Sequence, residues 1–106
     1  MSALKVYLSP LAEFKLDLLL QHLETEWGQK SKIDFLEKLK TSVGRISIFP
    51  RSCPESQEIP GVFKCVITRQ TSFYYRIQSD SIEIITVIDN RQDPEKISEE
   101  IKRHFN

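Results

Sequence analysis

The chain has no excess of charge, almost no cysteine, little glycine and no long apolar run. Lys plus Arg and Asp plus Glu number 15 each in 106 residues, so the formal net charge is zero. That excludes a global field drawing the surface to nucleic acid, and any polyanion site has to be a local patch. Cys53 and Cys65 are the only cysteines, and no histidines cluster with them. They make no metal site, and no metal or other cofactor is expected. One disulfide between them is conceivable, but Cys65 stands in an apolar strand pattern and is expected as a buried free thiol. Apolar runs such as Leu18 to Leu20 fall far short of the roughly 20 residues that span a bilayer, so no membrane partner is expected. The start, MSALKVYLSP, has no basic segment followed by an apolar stretch and does not read as a signal peptide. The cytoplasm is the expected location. No repeat or low-complexity stretch is present, and one domain over residues 1–106 is expected.

What is there is an ordinary globular balance, 40% hydrophobic and 28% charged, enough to bury a core. Leu4, Val6 and Leu8 alternate with polar neighbours as a short strand. Ser9-Pro10 opens a helix, with Ser9 as cap and Pro10 at the first helical position. Leu16, Leu19, Leu20, Leu23 and Trp27 form an apolar stripe, widened by Leu11, Phe14 and Leu18. Its width predicts burial against both a sheet and a second helix, with Trp27 plugging the helical pair. Gly28 stops the helix. Ser31 with Asp34 resembles a capping box opening the next one. Its buried face is expected to comprise Phe35, Leu36, Leu39, Val43, Ile46 and Phe49, ending at Pro50.

The segment PRSCPESQEIPG (50–61) is a loop. Three alternating segments follow, at 62–69, 72–78 and 81–89, joined by hairpin-length turns. The last is apolar on both sides near its end, which predicts a central strand. Ile82, Ile84, Thr86 and Ile88 are expected on one face, Glu83, Ile85 and Val87 on the other. After Asp93-Pro94, Ile97, Ile101 and Phe105 give a short terminal helix one apolar edge. The fold class is therefore α+β in the order β-α-α-β-β-β plus a short helix, with a helical hairpin on one face of an antiparallel sheet. The other face, carrying Lys64, Tyr74, Arg76 and Glu83, is expected to be partly open to solvent.

Four segments in this order resemble the RelE/ParE toxins of bacterial type II toxin–antitoxin (plasmid stabilisation) systems: KVYLSPLAEFKLDLLLQHLETEWG at Lys5–Gly28, FLEKL at Phe35–Leu39, IPGVFKCVITRQTSFYYRI at Ile59–Ile77, and IEIITVIDNRQDPEKI at Ile82–Ile97. The D-N-R-Q-D-P closure is the sharpest of these words. The resemblance implies a growth-inhibiting toxin neutralised by a cognate antitoxin whose C-terminal segment wraps it. One branch of the family cleaves messenger RNA on the ribosome, and the other inhibits DNA gyrase. The nuclease branch uses Lys and Arg on the central strands and a Tyr or His near the C-terminus.

Here Lys64 and Arg91 match that pattern, and Arg69 or Arg76 could complete a cationic surface, with Tyr74 as an aromatic contact. No catalytic residue is assigned, because Ile97 stands where the terminal acid belongs and His104 lies further along. A proton donor is needed for the leaving oxygen. Two cations without one bind phosphate better than they cleave it. The neutral net charge also disfavours ribosome docking. Three readings stay open: a ParE-like binder of a protein target, a ribosome-dependent endoribonuclease, and a degenerate member that binds only its antitoxin. Sequence-specific DNA binding by the toxin alone is not expected.

Overall fold

Ser9 fixes the start of the fold. Its hydroxyl accepts from the Ala12 amide at 3.0 Å, capping the helix that follows, and donates to the Ile85 carbonyl at 2.6 Å. In the computed structural model, which describes residues 3–105 and side chains through residue 103, the elements are β1 (Lys5–Leu8), α1 (Pro10–Trp27), α2 (Gln29–Ile48), β2 (Val62–Val66), β3 (Thr71–Ile77), β4 (Ser81–Asp89) and α3 (Pro94–Phe105). The order is the expected one. Gly28 alone joins the two helices at φ +92°, a backbone conformation that costs a glycine least. α2 therefore starts earlier than expected, and the Ser31–Asp34 capping box does not form. Ser31 instead donates back to the Trp27 carbonyl at 3.3 Å.

The sheet runs β1-β4-β3-β2. β2, β3 and β4 form the antiparallel meander, and β1 pairs with β4 in parallel, Val6 opposite Ile82. The sheet is thus mixed rather than wholly antiparallel. The meander reverses twice, so β4 runs with β2, and the chain enters β2 after a helical hairpin that returns it in the direction of β1. β4 is central, with Ile82 through Ile88 all buried.

One residue of β4 changes which side chains face where. Tyr74 pairs with Thr86 but Tyr75 pairs with Ile84, so Ile85 is an extra residue in the ladder. The bulge re-phases the strand. Ile82, Ile84 and Val87 join the core under the helical hairpin, with Phe35, Ile46, Phe63, Cys65, Phe73 and Tyr75. Ile88 moves to the opposite face with Ile85. The strict alternation expected from sequence therefore fails after Ile85, and the pleat period of two holds only on each side of it. The Ser9 hydroxyl takes the Ile85 carbonyl.

The opposite face is largely covered. Ile97 and Ile101 of α3 pack there with Val62, Tyr74, Ile85 and Ile88, all buried. The expected opening to solvent survives only around Lys64 and Arg76, because α3, short as it is, carries enough apolar edge to cover much of the rest.

Candidate docking groove and cationic residues

The D-N-R-Q-D-P closure is first a structural knot. Asp89 accepts from the Arg91 backbone amide at 2.8 Å and from its guanidinium at 2.7 and 3.0 Å. Asn90 ties the turn before β3 to the end of β4, its amide donating to the Gln70 carbonyl at 2.8 Å and its side chain to the Arg69 carbonyl at 3.1 Å. Asp93 accepts from the Glu95 amide at 3.0 Å and so caps α3. The Arg91 side-chain bonds, and then its backbone amide, hold the Asp89 carboxyl down at about 2. A group with a depressed folded pKa contributes stability above its ordinary range and loses it as pH falls through the folded value. The pair is solvent-exposed, so that contribution is small. The Asp89 carboxyl 13C shift should titrate near pH 2, and in Arg91→Ala, which keeps the backbone amide, it should move up toward the ordinary carboxylate range.

The five residues singled out from sequence do not share one surface. Lys64 is half-buried and lines a small hollow with Pro54–Glu58, Tyr74 and Pro94. Arg76 lines another, beside Ile59–Val62 and Ile101. Arg91 lies on the rim of a third and larger groove. Arg69 is exposed on the turn that Asn90 joins to Arg91. Register keeps Lys64, Tyr74 and Arg76 on the same sheet face, since Lys64 pairs with Tyr74 and Val62 with Arg76. On that face, however, Tyr74 is only 7% exposed, which corrects the expectation of an exposed aromatic. Burial, then the nearby Glu58, pushes its phenol up.

Arg76 is paired with Glu83, Nε to Oε1 at 2.6 Å, and Glu83 is nearly buried. Across neighbouring strands the pair neutralises a carboxylate that would be costly to leave alone. A double-mutant cycle on Arg76→Ala and Glu83→Ala should give a coupling of about 1–2 kcal/mol in chemical denaturation. No coupling would mean that Arg76 is held for another purpose. His22 is exposed on α1 at the rim of the large groove, and the His104 side chain lies outside the described residues.

The large groove, about 710 Å³, runs between α1, the start of α2 and the ends of β3 and β4. Leu19, Leu23, Phe35 and Val87 contribute apolar lining, while Asp34, Lys38, Gln70, Asp89 and Arg91 bring polar groups. Its α1 wall carries Phe14, Leu18 and Trp27, exposed by 61%, 51% and 72%. The α1 stripe packs on both the sheet and α2 as expected through Leu16, Leu19, Leu20 and Leu23, but Phe14, Leu18 and Trp27 lie beyond that cover. Only Ala12 and Leu16 of α1 are buried, and Trp27 does not plug the hairpin. Leu36 on α2 and Phe49 at its C-cap are likewise exposed rather than core. The signal for this groove was in the sequence as an apolar stripe wider than one packing face needs.

A family profile for the ParE toxin of the type II toxin–antitoxin system parDE matches residues 6–94. The chain belongs to the ParE toxin family. Among solved structures, the chromosomal ParDE toxin–antitoxin system from P. aeruginosa matches with a TM-score of 0.69 at 17% identity, over 82% of this chain and 96% of that one. The conserved hypothetical protein HP0894 from Helicobacter pylori matches with a TM-score of 0.55 at 13% identity, over 84% of this chain and 97% of that one. At such identities the likeness is one of fold. No curated protein matches the chain in sequence. ParE membership makes this a type II toxin. The ParE fold here holds no helix, among the described residues, long and apolar enough to cross a membrane.

Proposed function

We propose that this ParE-family toxin arrests growth in the cytoplasm by binding a protein target, DNA gyrase being the target that the family resemblance implies, without cleaving RNA. One observation carries the reading against a nuclease. The sheet face that carries Lys64 and Arg76 is largely covered by α3, and Arg76 is engaged by Glu83. A phosphorane-stabilising cluster needs preorganised, accessible cations and a proton donor. Lys64, Arg76 and Arg91 instead open into separate hollows. Arg69 and Arg91, on turns joined through Asn90, are the cations we assign to target contact.

The cognate antitoxin occupies the α1 groove in this reading. An amphipathic helix laid into an apolar groove is an established mode of recognition, and Phe14, Leu18 and Trp27 supply the side chains it would cover. The target is tested by titrating the purified chain into a gyrase supercoiling reaction. Inhibition that weakens in an Arg69→Ala, Arg91→Ala double variant is expected. Undiminished supercoiling at saturating toxin would remove gyrase as the target.

A further inference from the structure

Outside the groove and the cationic hollows lies a separate cluster of sulfur and guanidinium groups. Cys53 and Cys65 are both buried free thiols, and Nη2 of Arg45 stands 3.7 Å from the Cys53 sulfur and 3.4 Å from the Cys65 sulfur. The backbone places them face to face. Glu55 bridges Phe63 in antiparallel register, and the Lys64 amide donates to the Pro54 carbonyl at 3.0 Å. Continuing that register sets Cys53 opposite Cys65. The Lys64–Pro54 bond makes its neighbour a non-hydrogen-bonded pair, the closer of the two kinds of antiparallel pair. Such positions bring Cβ atoms near the separation a disulfide requires.

We infer that Cys53 and Cys65 form a reversible intramolecular disulfide that staples the 50–61 loop to β2, with a small-molecule disulfide of the glutathione type as oxidant. Cys53 is at the loop side and is the less enclosed of the two. Its thiol gives a proton to solvent, and the thiolate attacks one sulfur of the external disulfide, expelling one small thiolate. Cys65 then loses its proton and attacks the Cys53 sulfur of the mixed disulfide, expelling the second. Two protein thiols are oxidised by two electrons, one external disulfide is reduced to two thiols, and the two released protons neutralise them. The Arg45 guanidinium lies beside both sulfurs throughout. Burial, then the Cys53 thiol, pushes Cys65 up to about 11, against the pull of Arg45, so Cys65 rests protonated and serves as the resolving thiol.

The test refolds the full chain from urea in glutathione redox buffers, so that burial does not limit access, then blocks remaining thiols and weighs the product. A monomer lighter by about 2 Da with no alkylated cysteine is expected in oxidising buffer, reverting on reduction. Its melting temperature should lie about 5–10 °C above the reduced form. Cys53→Ser and Cys65→Ser, checked for folding by circular dichroism, should show neither change. Two alkylated thiols at every buffer ratio, a persistent glutathione adduct on one cysteine, or a disulfide-linked dimer would each overturn the proposal.

Discussion

Tyr75→Ala should destabilise the fold by about 3–5 kcal/mol, the range for removing a buried aromatic side chain. Tyr75 is wholly buried, stacked on Phe63 with ring centroids 5.3 Å apart and tilted against Phe73 at 5.8 Å. Its truncation would leave a cavity between the sheet and the hairpin where three aromatic rings now fill one layer. The hydroxyl has a separate task. It donates to the Pro50 carbonyl at 2.7 Å, anchoring the end of α2 to the middle of β3. Burial, and then the nearby Cys53, pushes the phenol upward, so it stays protonated and remains a donor. Tyr75→Phe should therefore cost only about 1 kcal/mol. Urea denaturation of both variants separates packing from hydrogen bonding. A Tyr75→Phe loss equal to that of Tyr75→Ala would assign the stability to the hydroxyl and contradict the packing account.

The second large effect concerns the groove. Trp27→Ala and Leu18→Glu should each weaken capture of the cognate antitoxin by about 30-fold or more, the scale for losing an aromatic anchor or burying a charge in an apolar contact. Both residues are exposed in the free toxin, so folding stability should move by under about 0.5 kcal/mol. The measurement is co-expression with the neighbouring small reading frame, followed by affinity determination on the purified pair. Antitoxin binding unchanged in both variants, with the fold intact, would place the antitoxin elsewhere on the toxin.

The elements were legible because their signals are local. Ser9-Pro10, Gly28, Pro50 and Asp93-Pro94 mark helix ends that the fold uses, and the alternation of β2 and β3 predicts their faces correctly. The central place of β4 could be read from its apolar character on both sides. What could not be read depends on tertiary partners. The Ile85 bulge is invisible to a period of two, yet it moves Ile88 to the other face. α3 looks like a marginal helix in isolation, but it buries Tyr74 and covers much of the face that carries Lys64 and Arg76. Arg76 reads as a solvated cation until the β3–β4 register sets Glu83 beside it. The α1 stripe packs on both β4 and α2 as its width predicts, yet Phe14, Leu18 and Trp27 extend beyond what those two neighbours cover.

A toxin that arrests growth by binding a protein target leaves messenger RNA whole. Message 5′ ends should be mapped across the transcriptome shortly after brief induction of the full chain, alongside the growth curve. Growth arrest with messages intact is the predicted result. Codon-phased cuts within translated messages, lost in Arg91→Ala, would contradict it and restore a ribosome-dependent nuclease.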